Sequence, residues 1–285
     1  MTGCSKMRGL VIKKNADKFH VKFGEEEVIC SARGVLKQEG VFVGDKVNFD
    51  KKALVIEEIL PRKNLLIRPP IANLDTMIIT IAPKPQPDLY LVDKLILFCF
   101  VEGITPILCV NKIEERSEFY EKMCSIYSPI LKIVKTSALL EYTSELEKCI
   151  KGISAFAGQS AVGKSSLINA IFKENLEKTG NFAKKVERGK QTTRTVTLYR
   201  TKNGYIADTA GFSKLDENLI NLEANEIARY YPDMLPYIEK CRYRSCLHKH
   251  SENCAIVEAV REGKISKERY ENYLKFLEIK QNKGW

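Results

Sequence analysis

Apolar and polar residues alternate in short runs over the first seventy positions. Leu10-Val11-Ile12, Phe19 to Phe23, Val28-Ile29-Cys30, Lys46 to Phe49 and Ala53 to Ile56 are β-rich, and turn signals such as Asn15-Ala16-Asp17 and Gly44-Asp45 separate them. Such a series predicts a small β-barrel. Residues 18–22 alternate charged and apolar side chains, so one face of that strand is expected in water. From about Asp75 the rhythm changes to strand, helix, strand, helix. Residues 76–82 read as a buried strand ended by Pro83, Pro85 and Pro87. A helix follows from about Asp88, then a strand at 107–110, a polar helix at 114–125 and a strand at 131–134. After another helix come a strand at 153–157, a helix from Lys164, and strands at 195–200 and 205–207. That alternation predicts an α/β domain with a largely parallel sheet. Beyond Ser213 the pattern is helical and closes on an amphipathic helix at 265–281. The fold class is therefore multidomain: a barrel over 1–70, an α/β domain over 71–213 and a helical domain over 214–285.

Charge adds a partner class. The net charge is +10, which suits a polyanionic partner, and the excess is local. Residues 173–202 carry nine basic against three acidic side chains, and residues 1–70 carry fourteen against nine. No run approaches eighteen apolar residues, so no membrane span is expected. Met1 to Arg8 lacks the apolar stretch of a signal peptide, and a cytoplasmic location is expected. Nine cysteines form an odd set. Cys30, Cys99, Cys109 and Cys149 lie in apolar runs, where a cysteine packs as a small hydrophobe.

Gly158-Gln159-Ser160-Ala161-Val162-Gly163-Lys164-Ser165 fits GxxxxGK[ST], between an apolar strand and a helix, the context that motif needs. The glycines let the backbone curl so that successive amides face phosphate oxygens, and the helix start adds its positive dipole end. Lys164 is expected on the β- and γ-phosphates, Ser165 on Mg²⁺ and Ser166 on the nucleotide. Asp208-Thr209-Ala210-Gly211 follows the next strand pair; Asp208 would hold Mg²⁺ through water, and the Gly211 amide would sense the γ-phosphate. Between these motifs lies the basic segment Gly189-Lys190-Gln191-Thr192-Thr193-Arg194, in which Thr193 is favoured to complete the Mg²⁺ shell. Lys184, Lys185, Arg188 and Lys190 are candidate phosphate contacts for RNA.

Asn111-Lys112-Ile113-Glu114 directly follows a strand, where Asn-Lys-x-Asp selects guanine in GTPases. The carboxylate accepts from the ring N1–H and the exocyclic amine, a donor pair adenine lacks. Glu114 is one methylene longer than the usual aspartate, so weaker guanine discrimination is an open alternative. Thr136-Ser137-Ala138-Leu139 resembles the loop whose backbone meets guanine O6, which nominates Ser137 and Ala138. The base motif precedes the phosphate loop, the reverse of the ordinary order, as in a circularly permuted domain whose original ends lie close together. The chain then leaves the segment around Gly211 directly for the C-terminal region, so a γ-phosphate-dependent shift there would pull on that region.

Cys241, Cys246, His248 and Cys254 give the spacing Cys-x4-Cys-x-His-x5-Cys. Three thiolates and an imidazole make a closed tetrahedral site suited to one structural Zn²⁺. His250 is a competing imidazole.

With these residues in place, the chain resembles the RsgA (YjeQ) family of circularly permuted GTPases. The likeness extends from Val43-Gly44-Asp45-Lys46-Val47, through residues 68–75 (Arg-Pro-Pro-Ile-Ala-Asn-Leu-Asp) and the nucleotide motifs, to Cys254-Ala255-Ile256-Val257. It implies an N-terminal OB-fold, a central GTPase domain and a C-terminal zinc domain. It further implies GTP/GDP, Mg²⁺ and Zn²⁺ as cofactors, and the small ribosomal subunit with its 16S rRNA as partner. Family members act late in small-subunit maturation and leave after GTP hydrolysis. Phe212 stands where Ras-like proteins use a glutamine, so slow intrinsic hydrolysis is expected, with the ribosome supplying what is missing. A monomer is the default expectation. Two other readings stay open: an RNA-binding module that holds nucleotide but scarcely turns it over, and a P-loop ATPase.

Overall fold

The computed structural model describes residues 6–179, 196–208, 212, 215–249 and 253–282. In chain order the amino-terminal strands are β1 (Lys6–Asn15), β2 (Lys18–Phe23) and β3 (Glu26–Ala32), followed by helix α1 (Gly34–Glu39). Then come β4 (Lys46–Asp50), β5 (Val55–Ile59), β6 (Leu65–Ile67), β7 (Pro70–Ala72) and β8 (Thr76–Ile81). The α/β part continues with α2 (Leu89–Val101), β9 (Thr105–Val110), α3 (Ser117–Tyr127), β10 (Lys132–Lys135) and α4 (Ser144–Glu147). Next are β11 (Gly152–Ala157), α5 (Lys164–Thr179), β12 (Thr197–Arg200) and β13 (Gly204–Asp208). The carboxyl-terminal helices are α6 (Leu235–Ile238), α7 (Ala255–Arg261) and α8 (Lys267–Asn282).

Contacts divide the chain into two compact units, each assembled from three stretches. The first comprises Met1–Ile78, Glu147–Phe156 and Ser165–Phe212. Its strand order is β11-β13-β12-β1-β2-β3-β5-β4, and β4 pairs back onto β1. That closing pair makes a five-stranded barrel, the arrangement of an OB-fold. β1 pairs with β2 along most of its length, with a register shift between Val11 and Lys13. Lys6 to Leu10 pairs with β4, while Lys13 lies opposite Thr197 of β12. Val11, Val21, Val47, Phe49 and Ile56 are fully buried inside the barrel, and Phe23 meets Phe49 edge-on at 5.3 Å. Asp45, fully buried, is bound by Arg62 at 2.7 and 2.9 Å and accepts from the Phe42 amide at 2.8 Å. This fixes the turn that leads into β4.

The second unit comprises Ile79–Leu146, Ala157–Lys164 and Ser213–Trp285. Its strands run β10-β9-β8, with β9 and β10 parallel. Every residue of β8 is buried, as is every residue of β9 after Thr105. Parallel strands covered by helices on both faces read this way. In the first unit β11 and β13 are parallel, while β12 joins β13 antiparallel. Among the described residues no helix is long and apolar enough to cross a membrane.

The expected elements occur with shifted ends, and the shifts have local causes. β5 begins at Val55 rather than Ala53 because Leu54 takes a left-handed φ of 54°. α3 begins at Ser117 rather than Glu114 because a turn, with the Glu115 amide on the Lys112 carbonyl at 3.0 Å, occupies the preceding residues. Helix α1 and the β6–β7 hairpin were not anticipated.

Candidate nucleotide and metal sites

The phosphate loop leaves β11 with two glycines at left-handed angles. Gly158 has φ +114°, and a Cβ there would lie 2.2 Å from the Thr80 carbonyl oxygen. Gly163 has φ +96°, and a Cβ there would lie 2.3 Å from Asn111 Nδ2. Each glycine is thus required twice, for its backbone angle and for its close neighbour. Ala161 also takes a left-handed φ, 65°, which costs a residue with a Cβ about 1–2 kcal/mol. Ser160 and Ala161 are exposed and Val162 is buried. The ammonium of Lys164 donates to the carbonyls of Gly158, at 2.7 Å, and Gln159. Burial lowers its pKa, as expected for a cation drawn from water into a concave loop. The Gln159 side chain turns outward, accepting from the Asp88 amide at 2.9 Å and donating to the Gln86 carbonyl at 3.3 Å.

The base motif is built onto this loop. Asn111, 1% exposed, donates from Nδ2 to the Val162 carbonyl at 2.9 Å, and its Oδ1 accepts from Thr136 Oγ1 at 3.3 Å. One amide N–H of Asn111 is left for a ligand. Lys112 has φ 58°, and its ammonium donates to the Lys84 carbonyl at 2.9 Å. Glu114 is exposed. Fully buried Ser137 accepts from the Leu140 amide at 3.0 Å. Its backbone pairs with Tyr142 in both directions, at 3.2 and 2.9 Å, which closes a tight loop around Ala138.

The second unit therefore brings together Asn111, Lys112, Ser137, Ala138 and residues 158–164. In the first unit Ser165 and Ser166 open α5, exposed, and Asp208 ends β13, half-buried. Phe212 is 1% exposed, so its ring is packed away from solvent. Thr193, Gly211, Gln191, the cluster Lys184, Lys185, Arg188 and Lys190, and His250 lie outside the described residues.

Cys241, Cys246, His248 and Cys254 place their ligand atoms within 4.8 Å of one another. Cys241 Sγ lies 3.4 Å from His248 Nδ1 and 3.8 Å from Cys254 Sγ, and Cys254 Sγ lies 3.5 Å from the same nitrogen. Around a tetrahedral zinc, ligand atoms stand about 3.5–3.8 Å apart, close to the separations among Cys241, His248 and Cys254; with Cys246 Sγ inside the same 4.8 Å cluster, this set of donors suits that ion. His248 reaches this position through a left-handed φ of 55°, and its amide faces Cys246 Sγ at 3.4 Å. Burial lowers the His248 pKa, which favours the neutral imidazole that ligates metal. Tyr270 and Tyr273 of α8 donate to the His248 and Leu247 carbonyls at 2.8 and 2.9 Å. These outer supports were not anticipated from sequence, nor was the hold of Gln86 and Asp88 on the phosphate loop.

The family of RsgA GTPases matches residues 59–218, more than half of the chain. The small ribosomal subunit biogenesis GTPase RsgA of Ruminiclostridium cellulolyticum is 38% identical, the alignment covering 97% of this chain and 96% of that protein. The chain belongs to the RsgA GTPase family. A second RsgA, from Caldanaerobacter subterraneus, is also 38% identical over 97% of both chains. Among solved structures, YjeQ from Thermotoga maritima superposes with a TM-score of 0.82 at 31% identity, covering 97% of this chain and 99% of that one. YloQ, described as a circularly permuted GTPase, gives 0.82 at 26% identity over 100% and 98%. As an RsgA GTPase the chain uses guanine nucleotide, and its base motif precedes its phosphate loop, the permuted order. The barrel, the P-loop domain and the Cys/His cluster are the three parts of the expected fold class.

Proposed function

We propose that this GTPase acts in biogenesis of the small ribosomal subunit, as its RsgA relatives are named for doing. In this reading the subunit stimulates its GTP hydrolysis, and it leaves the subunit once GTP is spent. The observation that carries the nucleotide assignment is the bond from Asn111 Nδ2 to the Val162 carbonyl, over Gly163. It ties the end of β9 to the phosphate loop by a side-chain bond, so that in this reading guanine and phosphates are held by two segments fixed to each other.

The roles follow from chemistry. Amides of Gly158 to Gly163 cradle the phosphates, and Lys164 neutralises charge on the β- and γ-oxygens. Asn111, Lys112 and Glu114, with the Ser137-Ala138 backbone, hold guanine. Ser165 and Thr193 are assigned to Mg²⁺, with Asp208 holding it through water; Ser166 is assigned to the nucleotide and the Gly211 amide to the γ-phosphate. The ion would neutralise charge developing on the transferred group. The structural Zn²⁺ is assigned to Cys241, Cys246, His248 and Cys254. We assign domains to 1–70, 71–213 and 214–285, a monomeric state and a cytoplasmic location. The barrel and the basic segment around 184–190 are assigned to 16S rRNA, with binding that falls steeply as salt rises.

Buried Phe212 favours one competing reading, an RNA-binding module with scarcely any turnover, because a packed phenyl ring orients no water. GTP hydrolysis measured alone and with small ribosomal subunits, with ATP as control, separates the two. Strong GTP-selective stimulation is expected. Intact subunit binding without turnover would favour the RNA-binding module, and equal use of ATP would sink the guanine assignment.

A further inference from the structure

Beneath α8 lies a charged cluster that belongs neither to the nucleotide site nor to the metal site. Arg269 is 1% exposed. Its Nε and Nη2 donate to Asp233 at 2.8 and 2.9 Å, and its Nη1 donates to Asp93 of α2. Asn272, one turn along α8, donates to the other Asp93 oxygen at 2.6 Å. The rings of Tyr127 and Tyr231 flank the guanidinium at 5.7 and 5.2 Å. Burying such charges carries a desolvation cost that an apolar contact would not. What the cluster supplies is register: directional bonds allow α8 one position on α2.

Each helix continues from this lock to a different site. Along α8, Tyr270 and Tyr273 hold the backbone carbonyls of the metal loop. At the amino end of α2, Asp88 caps the helix through the Leu91 amide at 3.0 Å. The Asp88 backbone amide itself is spent on Gln159 of the phosphate loop. Gln159 is also one of the two carbonyls on which the Lys164 ammonium rests. A phosphate oxygen competes for that ammonium, so ligand binding changes the restraint on Gln159.

Resting on residues 158–165 as the phosphate site of GTP, we propose that α2 and α8, locked by Arg269, form a strut that couples nucleotide binding to the metal loop. Gln159 and Arg269 are positioning residues at its two joints. The strut is a route separate from the chain that follows Asp208, since it uses none of residues 209–214. Coupling of this kind is reciprocal: whatever docks on the metal loop shifts nucleotide affinity by the same factor.

The test is amide hydrogen exchange on the full chain purified with its metal, with and without GDP, with binding of fluorescent GDP measured in the same samples. In the unaltered chain nucleotide should slow exchange of residues 246–249 and the first turn of α8 by at least about threefold. Arg269→Met should abolish that response while GDP still binds. A second variant, Tyr270→Phe with Tyr273→Phe, keeps the ion cluster and should lose the response at 246–249 alone; it decides the matter should Arg269→Met fail to fold. An unchanged metal loop in the unaltered chain, or a full response in the tyrosine variant, overturns the strut. If GDP does not bind at all, the nucleotide-site reading falls and the strut with it; binding without the response removes the strut only.

Discussion

At the phosphate loop the backbone is held by shape: Gly158 and Gly163 sit at angles and distances that a Cβ would violate, and main-chain groups do the work. At the metal loop the backbone is held by side chains arriving from elsewhere, Tyr270 and Tyr273 of α8, which depend in turn on Arg269, Asp93 and Asp233. The first arrangement is local and stands on the character of single residues. The second is distributed and stands on charges buried beneath α8.

The largest effect should come from the local site. Lys164→Ala removes the one cation held among the loop carbonyls. GTP turnover should fall by roughly 10²–10³-fold or more, since the group acts on charge that develops in the transition state. Thermal stability should move little, because Lys164 is half-buried and its partners are backbone carbonyls with other recourse. Steady-state hydrolysis alongside a melting curve checks both. Turnover near the unaltered level would remove Lys164 from the phosphate site.

The distributed network should answer to pH instead. One guanidinium faces two carboxylates, and burial pushes the Asp93 carboxyl from 3.8 up to about 6, outweighing the pull of Arg269. The folded chain then holds a proton on Asp93 that the unfolded chain has released between about pH 4 and pH 6. The stability that this group contributes is therefore present below about pH 4 and is lost as pH rises through 6, a change of about 3 kcal/mol. Asp93→Asn keeps the shape and removes the titration. Urea unfolding at pH 5 and pH 7 should show the variant gaining on the unaltered chain at the higher pH. Equal pH slopes for the two proteins would mean that Asp93 stays ionised throughout.

The same contrast governs how much could be read from the sequence. The phosphate loop was legible because glycine, lysine and serine at fixed spacing have few other uses, and the Cys/His spacing was legible for the same reason. The second duty of Asn111, its bond to the Val162 carbonyl, was not, because it joins residues far apart in the chain. Arg269, Asn272, Tyr273 and Phe276 share a helical face at offsets of three, four and seven. A charge on that face reads as the edge of a solvated stripe until Asp93 and Asp233 are seen against it. Helix α1, six residues long, is too short for its period to register. At the β6–β7 hairpin the prolines at 69 and 70 look like a break. Pro70 instead opens an edge strand, where a missing N–H costs nothing.

Ala161 gives the smallest effect and tests whether the phosphate loop really rests on backbone angle alone. It is the one described residue between Gly158 and Gly163 that takes a left-handed φ with a side chain attached, and it is exposed, so packing has no part in the outcome. Relief of the angle in Ala161→Gly is worth ~1–2 kcal/mol. The greater freedom of glycine in the unfolded chain returns ~0.4–1 kcal/mol of that. A net gain of up to about 1.6 kcal/mol should remain, each kcal/mol being worth a rise in Tm of about 2–4 °C or a little less in a protein of this size. Ala161→Val should go the other way, because a branched Cβ is worse placed in that region. A glycine variant that melts lower would mean that the loop holds Ala161 by contacts rather than by angle, and the phosphate loop would then resemble the metal loop in how it is built.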